Sequence, residues 1–159
     1  MKSDLTFVTG FFGAPVMKMA RTLAAEKKLP CISLDDEIQK SDGRSVRNIC
    51  MIMGEHEYRN KEYEALLRIE EDSESGIAWS GAVIACSDGV LLDEMSRDII
   101  LKYKLIILGA DQTKEGLWQG ANSIENPCHA FMYHTDEDRR TQAFSDLYER
   151  QLAFFKKYI

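Results

Sequence analysis

Four short apolar runs, 5–9 (LTFVT), 30–34 (PCISL), 82–86 (AVIAC) and 104–109 (KLIILG), recur along the 159-residue chain with helical stretches between them. Each is near-continuously apolar and rich in Val, Ile or Leu. Strands of that kind are buried on both faces, as in a parallel sheet covered by helices. Helical patterns follow at 16–28, 45–53, 58–71, 91–103 and 136–158. In the first of them Val16, Met19, Ala20, Leu23 and Ala24 share one face. This alternation predicts right-handed βαβ units in a doubly wound α/β domain. No repeat, low-complexity tract or linker interrupts the chain, so residues 1–159 are expected to form a single domain.

Such sheets bind ligands beyond the carboxyl ends of their strands. The segments after residues 9, 34, 86 and 109 are therefore where chemistry is expected. The first is TGFFGAPVMK. A working phosphate loop needs a second glycine, then a lysine for the phosphate charge and a hydroxyl for Mg²⁺. Gly10 holds the first glycine position. Pro15 holds the second and has no N–H to give. Val16 stands in the lysine position and Met17 in the hydroxyl position. Lys18 lies two positions on, about 200° round the helix. On these residues alone the stretch reads first as a tight strand–helix turn without a ligand, and second as a phosphate site.

The second strand ends in SLDDEI. Asp35, Asp36 and Glu37 suit the positive end of a helix. Alternatively, Asp35 acts as a general base or holds a substrate hydroxyl. Arg59 and Glu62 are three residues apart and share a helix face. They form either a surface ion pair or an arginine oriented to receive a carboxylate. In ACSDGVLL, Gly89 allows a close backbone approach, while Asp88 places a negative charge where an anionic ligand would sit; a plain turn fits as well. Segment 117–135 is the natural place for a lid, yet it has no Lys or Arg. His129, His134 and Cys128 do not make a metal set. Trp118, Phe131 and Tyr133 read as packing residues.

Composition removes other classes. A net charge of −6 argues against a nucleic-acid groove. No stretch approaches the ~20 apolar residues of a membrane span, and the N-terminus does not read as a signal peptide. The cysteines, at 31, 50, 86 and 128, lack metal-ligand spacing. Cys31 and Cys86 lie in strand-like runs as buried thiols, which points to a reducing, cytoplasmic setting.

Together these stretches resemble the shikimate kinase family over essentially the whole chain. That family opens with a sequence like TGFMGAGKSTVGR, and TGFFGAPVMKMAR agrees at Thr9, Gly10, Phe11, Gly13, Ala14 and Arg21. Its DxDxxIE is matched by SLDDEIQ at Asp35 and Ile38, with Ser33 in place of the first aspartate. Its GE..FR..E is matched by Gly54, Glu55, Arg59 and Glu62. ATGGGVVL is matched by ACSDGVLL at Ala85 and Gly89. In the lid, RPLL meets NPCH and retains only Pro127, and Arg150 is kept in the helix that follows.

The resemblance implies a P-loop NTPase-like three-layer α/β/α fold with a parallel sheet, of four strands here and five in the family. It implies ATP- and Mg²⁺-dependent phosphorylation of the shikimate 3-hydroxyl. Asp35 would act as base and contact the ring hydroxyls. Arg59, held by Glu62, would clamp the carboxylate, with Gly89 beside the substrate. Gly10, Gly13, Ala14 and Lys18 would be what remains of the nucleotide loop. The lysine, the Mg²⁺ hydroxyl, the Mg²⁺ aspartate and the lid arginine are replaced by Val16, Met17, Ser33 and Asn126. The family's fifth strand and final helix would follow Ile159. An unpaired sheet edge in their place predicts a homodimer.

The expectation is a degenerate ATP site and a non-catalytic protein without cofactor or metal. It would bind a small hydroxylated carboxylate or a protein partner. The alternative is an active kinase with a rearranged nucleotide site that uses ATP and Mg²⁺. A purely structural domain is the third reading.

Overall fold

The computed structural model describes residues 3–76 and 80–159. Four parallel strands form one sheet: β1 (Asp4–Gly10), β2 (Cys31–Ser33), β3 (Gly81–Ala85) and β4 (Lys104–Leu108), in the order β2-β3-β1-β4. Asp4 is in register with Gly81, Thr6 with Lys104 and Cys31 with Val83. From β1 the chain moves outward to β2, and from β3 it crosses back over β1 to β4. The connections therefore diverge between β1 and β3, and the crevice of such a sheet opens where they do. The loops after β1 and β3 are neighbours there.

Seven α-helices accompany the strands among the described residues: α1 (Val16–Lys27), α2 (Leu34–Asp42), α3 (Val46–Met53), α4 (Glu55–Ser75), α5 (Glu94–Ile100), α6 (Lys114–Asn122) and α7 (Glu137–Phe155). Short 3₁₀ turns lie at Val90–Leu92 and Ala130–Tyr133. The two-residue period of a strand sends Leu5 and Phe7 to one face of β1 and Val8 to the other. Leu5 and Phe7 join the larger core with Leu34, Ile49, Tyr58, Leu66, Leu117 and Phe155. Val8 packs with Val83, Ala85, Ala20 and Ala24 on the α1 side. Helices thus cover both faces, giving the three-layer α/β/α arrangement expected from the apolar runs. None of the described helices is long and apolar enough to cross a membrane.

Several elements differ from the pattern reading. The second strand is three residues long, because Ser33 caps α2 by accepting from the Asp36 N–H at 3.2 Å, and Leu34 is already helical. Met19 is 39% exposed, because α1 buries only the small Ala20 and Ala24 at their closest approach to the sheet. The stretch expected as one helix over 91–103 splits into a 3₁₀ turn and α5, which Asp93 caps through the Ser96 N–H. Helix α6 was not legible; it starts at the Thr113 cap and occupies the first part of the segment expected as a lid.

Candidate functional site

A cavity of about 700 Å³ lies at the carboxyl ends of β1, β2 and β3. Its walls come from the loop after β1, the first turn of α2, the loop after β3 and segment 123–128. Asp35, Asp88 and Lys18 all line it, while Arg59, Glu62 and Gly89 lie behind its wall.

The loop after β1 is held by the protein's own acceptors. Phe11 donates its N–H to Leu108 O at 3.0 Å, Ala14 to Phe11 O at 2.9 Å and Val16 to Ala14 O at 2.8 Å. The Phe12 N–H goes to Oε1 of Gln151 on α7 at 2.9 Å. Pro15, at the N-cap of α1, has none to give. The two aromatic rings anchor the loop further. Phe11 packs on Tyr148 and Phe155, and Phe12 on His129, Phe131 and Phe144.

The glycines of this loop have steric reasons to be glycines. A Cβ at Gly10 would meet Leu108 O at 2.4 Å in the neighbouring strand. Gly13 has φ +100°, and a Cβ there would lie 1.8 Å from Leu117 O of α6. Helix α6 therefore lies directly on the loop. Ala14 is half-buried and packs against the core. Lys18 and Arg21 are exposed on α1 at the cavity's edge.

Asp35 sits in the first turn of α2, and its Oδ1 accepts from the Tyr58 hydroxyl at 2.5 Å. Burial pushes its carboxyl up to about 7, helped by the charges of Glu62 and Asp88 and opposed by Tyr58 and Arg59. A carboxyl poised there can exchange a proton with a ligand hydroxyl near neutral pH.

Arg59 is engaged on three sides. Nη1 donates to Glu62 Oε1 at 2.6 Å and to Ser87 Oγ at 3.0 Å, and Nη2 donates to Glu55 Oε1 at 2.8 Å. Ser87 in turn donates to Glu62 Oε2 at 2.6 Å. Burial alone would lower the guanidinium, but Glu62 beside it keeps it firmly charged. Glu62 is itself raised by burial, against the pull of Arg59. Gly89 leaves room for this guanidinium: a Cβ there would lie 2.1 Å from Nη2. The pair is thus a buried network rather than a surface ion pair.

Asp88 was legible only as an awkward negative charge. Its Oδ2 is hydrogen-bonded to Nε2 of both His129 and Gln151, each at 2.7 Å. Burial would raise Asp88, yet His129 holds it below the usual carboxylate range. Tyr58, Ser87, His129 and Gln151 carry no motif of their own.

The cysteines also differ from expectation. Cys50 of α3 and Cys128 of the cavity wall are joined by a disulfide across 78 residues. Cys31 and Cys86 are free, with Cys86 buried and Cys31 half-buried.

Residues 17–149 match the sequence profile of the family described as shikimate kinase. The chain is 31% identical over 104 residues to a bifunctional shikimate kinase/3-dehydroquinate synthase of Thermotoga maritima, covering 65% of this chain and 20% of that protein. It is 30% identical over 100 residues to a shikimate kinase of Rhodopirellula baltica, covering 63% of this chain and 50% of the relative. Matches to single-function shikimate kinases such as these span about half of the relative's length. Among solved structures, a shikimate kinase of Bacteroides thetaiotaomicron superposes with a TM-score of 0.75 at 19% identity, covering 96% of this chain and 81% of that one. One of Acinetobacter baumannii, in complex with shikimate, gives 0.68 at 17%, covering 94% and 80%. These likenesses establish the α/β P-loop-like fold.

Proposed function

The chain belongs to the shikimate kinase family, and from that premise we propose a member that no longer performs ATP-dependent phosphorylation and instead binds a small hydroxylated molecule at Asp35. One observation carries this reading. The N–H groups of Phe11, Phe12, Ala14 and Val16 are spent on protein acceptors, and Pro15 has none. A phosphate cradle needs such groups free and convergent. The residues present do not fit a nucleotide with its Mg²⁺. Val16 and Met17 supply neither charge nor hydroxyl, and the hydroxyl of Ser33 caps α2. Phosphoryl transfer depends on positioning and charge stabilisation, and the loss of one such group costs ~10² to 10³ in rate.

What supports a ligand is the cavity itself, with Asp35 on its wall and its carboxyl pushed up to about 7. The second reading, an active kinase with a rearranged nucleotide site, draws on the same carboxyl as base and on Lys18 and Arg21 at the cavity edge. Isothermal titration with ATP·Mg²⁺ separates the two. No heat of binding and no ADP release with shikimate are expected; either signal overturns the non-catalytic reading.

A cytoplasmic setting is part of this proposal. It makes the Cys50–Cys128 bond one that the thiol pool contests rather than a permanent staple. A homodimer is proposed through the outer edge of β4, an end strand of the sheet. Sedimentation at the mass of one chain would remove that part.

A further inference from the structure

Asp88 is held as a bound anion would be. Its Oδ2 is hydrogen-bonded to Nε2 of His129 and Nε2 of Gln151, both at 2.7 Å. The Asp88 and His129 side chains are 13% and 11% exposed. The positive charge of Arg59 acts on the same carboxylate. Arg59 belongs to α4, Gln151 to α7, and His129 to the segment before Ala130–Tyr133. Three separate parts of the chain thus direct donors or positive charge at one group.

Each donor is itself oriented. Oε1 of Gln151 accepts from the Phe12 N–H at 2.9 Å, so its amide nitrogen is the end left for Asp88. The His129 ring is packed edge-on against Phe12 at 4.5 Å and lies beside Phe131 at 5.5 Å. Asp88 lines the cavity, and its Oδ1 has no hydrogen-bond partner among the described residues. A turn carboxylate would need none of this. Pre-oriented, charge-assisted donors inside a cavity wall are what a carboxylate-binding subsite consists of.

We propose that His129 and Gln151, behind the cavity wall and with the charge of Arg59 acting on the same place, form an anion seat that the protein fills with its own Asp88 carboxylate, making Asp88 the lining residue that decides ligand class. The cavity then takes hydroxylated molecules that present donors to Asp88 and Asp35, and rejects those that bring a carboxylate to that wall. This rests on the ligand-binding reading above and narrows its ligand. A second carboxylate beside Asp88 would be disfavoured roughly a hundredfold by like-charge repulsion.

The test uses acetate as the probe, with sodium chloride at matched ionic strength as its control. Asp88→Ala is expected to melt lower than the wild type and to recover in a saturable way with acetate, while the wild type does not respond. Shikimate is expected to bind the variant at least tenfold more tightly than the wild type. A destabilised variant that acetate does not rescue, or a wild type that binds acetate equally well, overturns the proposal. If Asp88→Ala does not fold, the His129 imidazole is titrated by NMR in Asp88→Asn. A fall from the wild-type value is expected, and an unchanged titration overturns the proposal. Acetate rescue requires neither the hydroxylated ligand nor nucleotide. It can therefore succeed if the proposed function fails, and fail if that function holds.

Discussion

Glu62 accepts from Arg59 at 2.6 Å, and neither side chain is more than a tenth exposed. Removing one partner of a buried pair leaves the other charge without compensation. Glu62→Ala is expected to cost ~3–5 kcal/mol in urea denaturation. Glu62→Gln, which keeps the shape and loses the charge, should cost less. A loss below ~1 kcal/mol in the alanine variant would mean that the network contributes no more than an exposed pair.

Burial pushes the Asp35 carboxyl up to about 7 in the folded state, against 3.8 for the free side chain. Between those values the native state binds more protons than the unfolded chain, so this group's contribution to stability falls as pH rises. The penalty is absent near pH 3, below both values, and complete above pH 7. Asp35→Asn removes it and leaves an oxygen for the Tyr58 hydroxyl. The variant is expected to be more stable than the wild type at pH 8, by up to ~4 kcal/mol, with no gain near pH 3. It should also lose the proposed ligand. Equal gains at both pH values, read by thermal melting, would contradict the linkage.

A Cβ at Gly120 of α6 would come within 2.0 Å of Gly13 O, a backbone atom of the loop after β1. No side-chain rotation relieves that contact, so loop and helix must separate. Gly120→Ala is expected to destabilise by ~1–3 kcal/mol and to speed amide exchange in the loop. Unchanged exchange at Phe12 and Ala14 would show that α6 does not brace the loop.

The Cys50–Cys128 bond closes 78 residues of chain and ties α3 to the cavity wall. Closing a loop of that size stabilises by ~4 kcal/mol in the chain-entropy account. Paired Cys50→Ser and Cys128→Ser substitutions are expected to lower the melting temperature, and wild type with reductant should fall to the same value. Thiol titration of the denatured, unreduced protein should find two thiols. Four would mean that the bond does not form.

The strands were legible because a buried parallel strand is apolar throughout its own few residues, whatever it pairs with. The core-facing alanines of α1 were legible for the same local reason. The length of β2 and the existence of α6 were not. A serine cap cut one strand short, and α6 meets Gly13 through Gly120 and the Leu117 carbonyl, close backbone contacts that leave no apolar pattern. At the site, Asp35, Arg59, Glu62 and Gly89 were all singled out, and the pairing of Arg59 with Glu62 was legible from their spacing, but their other partners were not. Arg59 read as a surface pair with Glu62 or as a clamp that Glu62 orients toward a carboxylate. Its further commitments to Glu55 and Ser87 place it behind the wall.

By itself the sequence determined the layered α/β fold and that Pro15, Val16 and Met17 follow one another after β1, the first without an N–H and the other two without a charged or hydroxyl side chain. Local pattern is enough for both. The tertiary structure alone decided that the Phe12 N–H meets Gln151, 139 residues away, that Asp88 meets His129, 41 residues away, and that Cys50 meets Cys128. Such pairs leave no periodicity in the chain. They exist because packing brings distant polar groups into a dry interior, where a group without a partner costs more than it does in water.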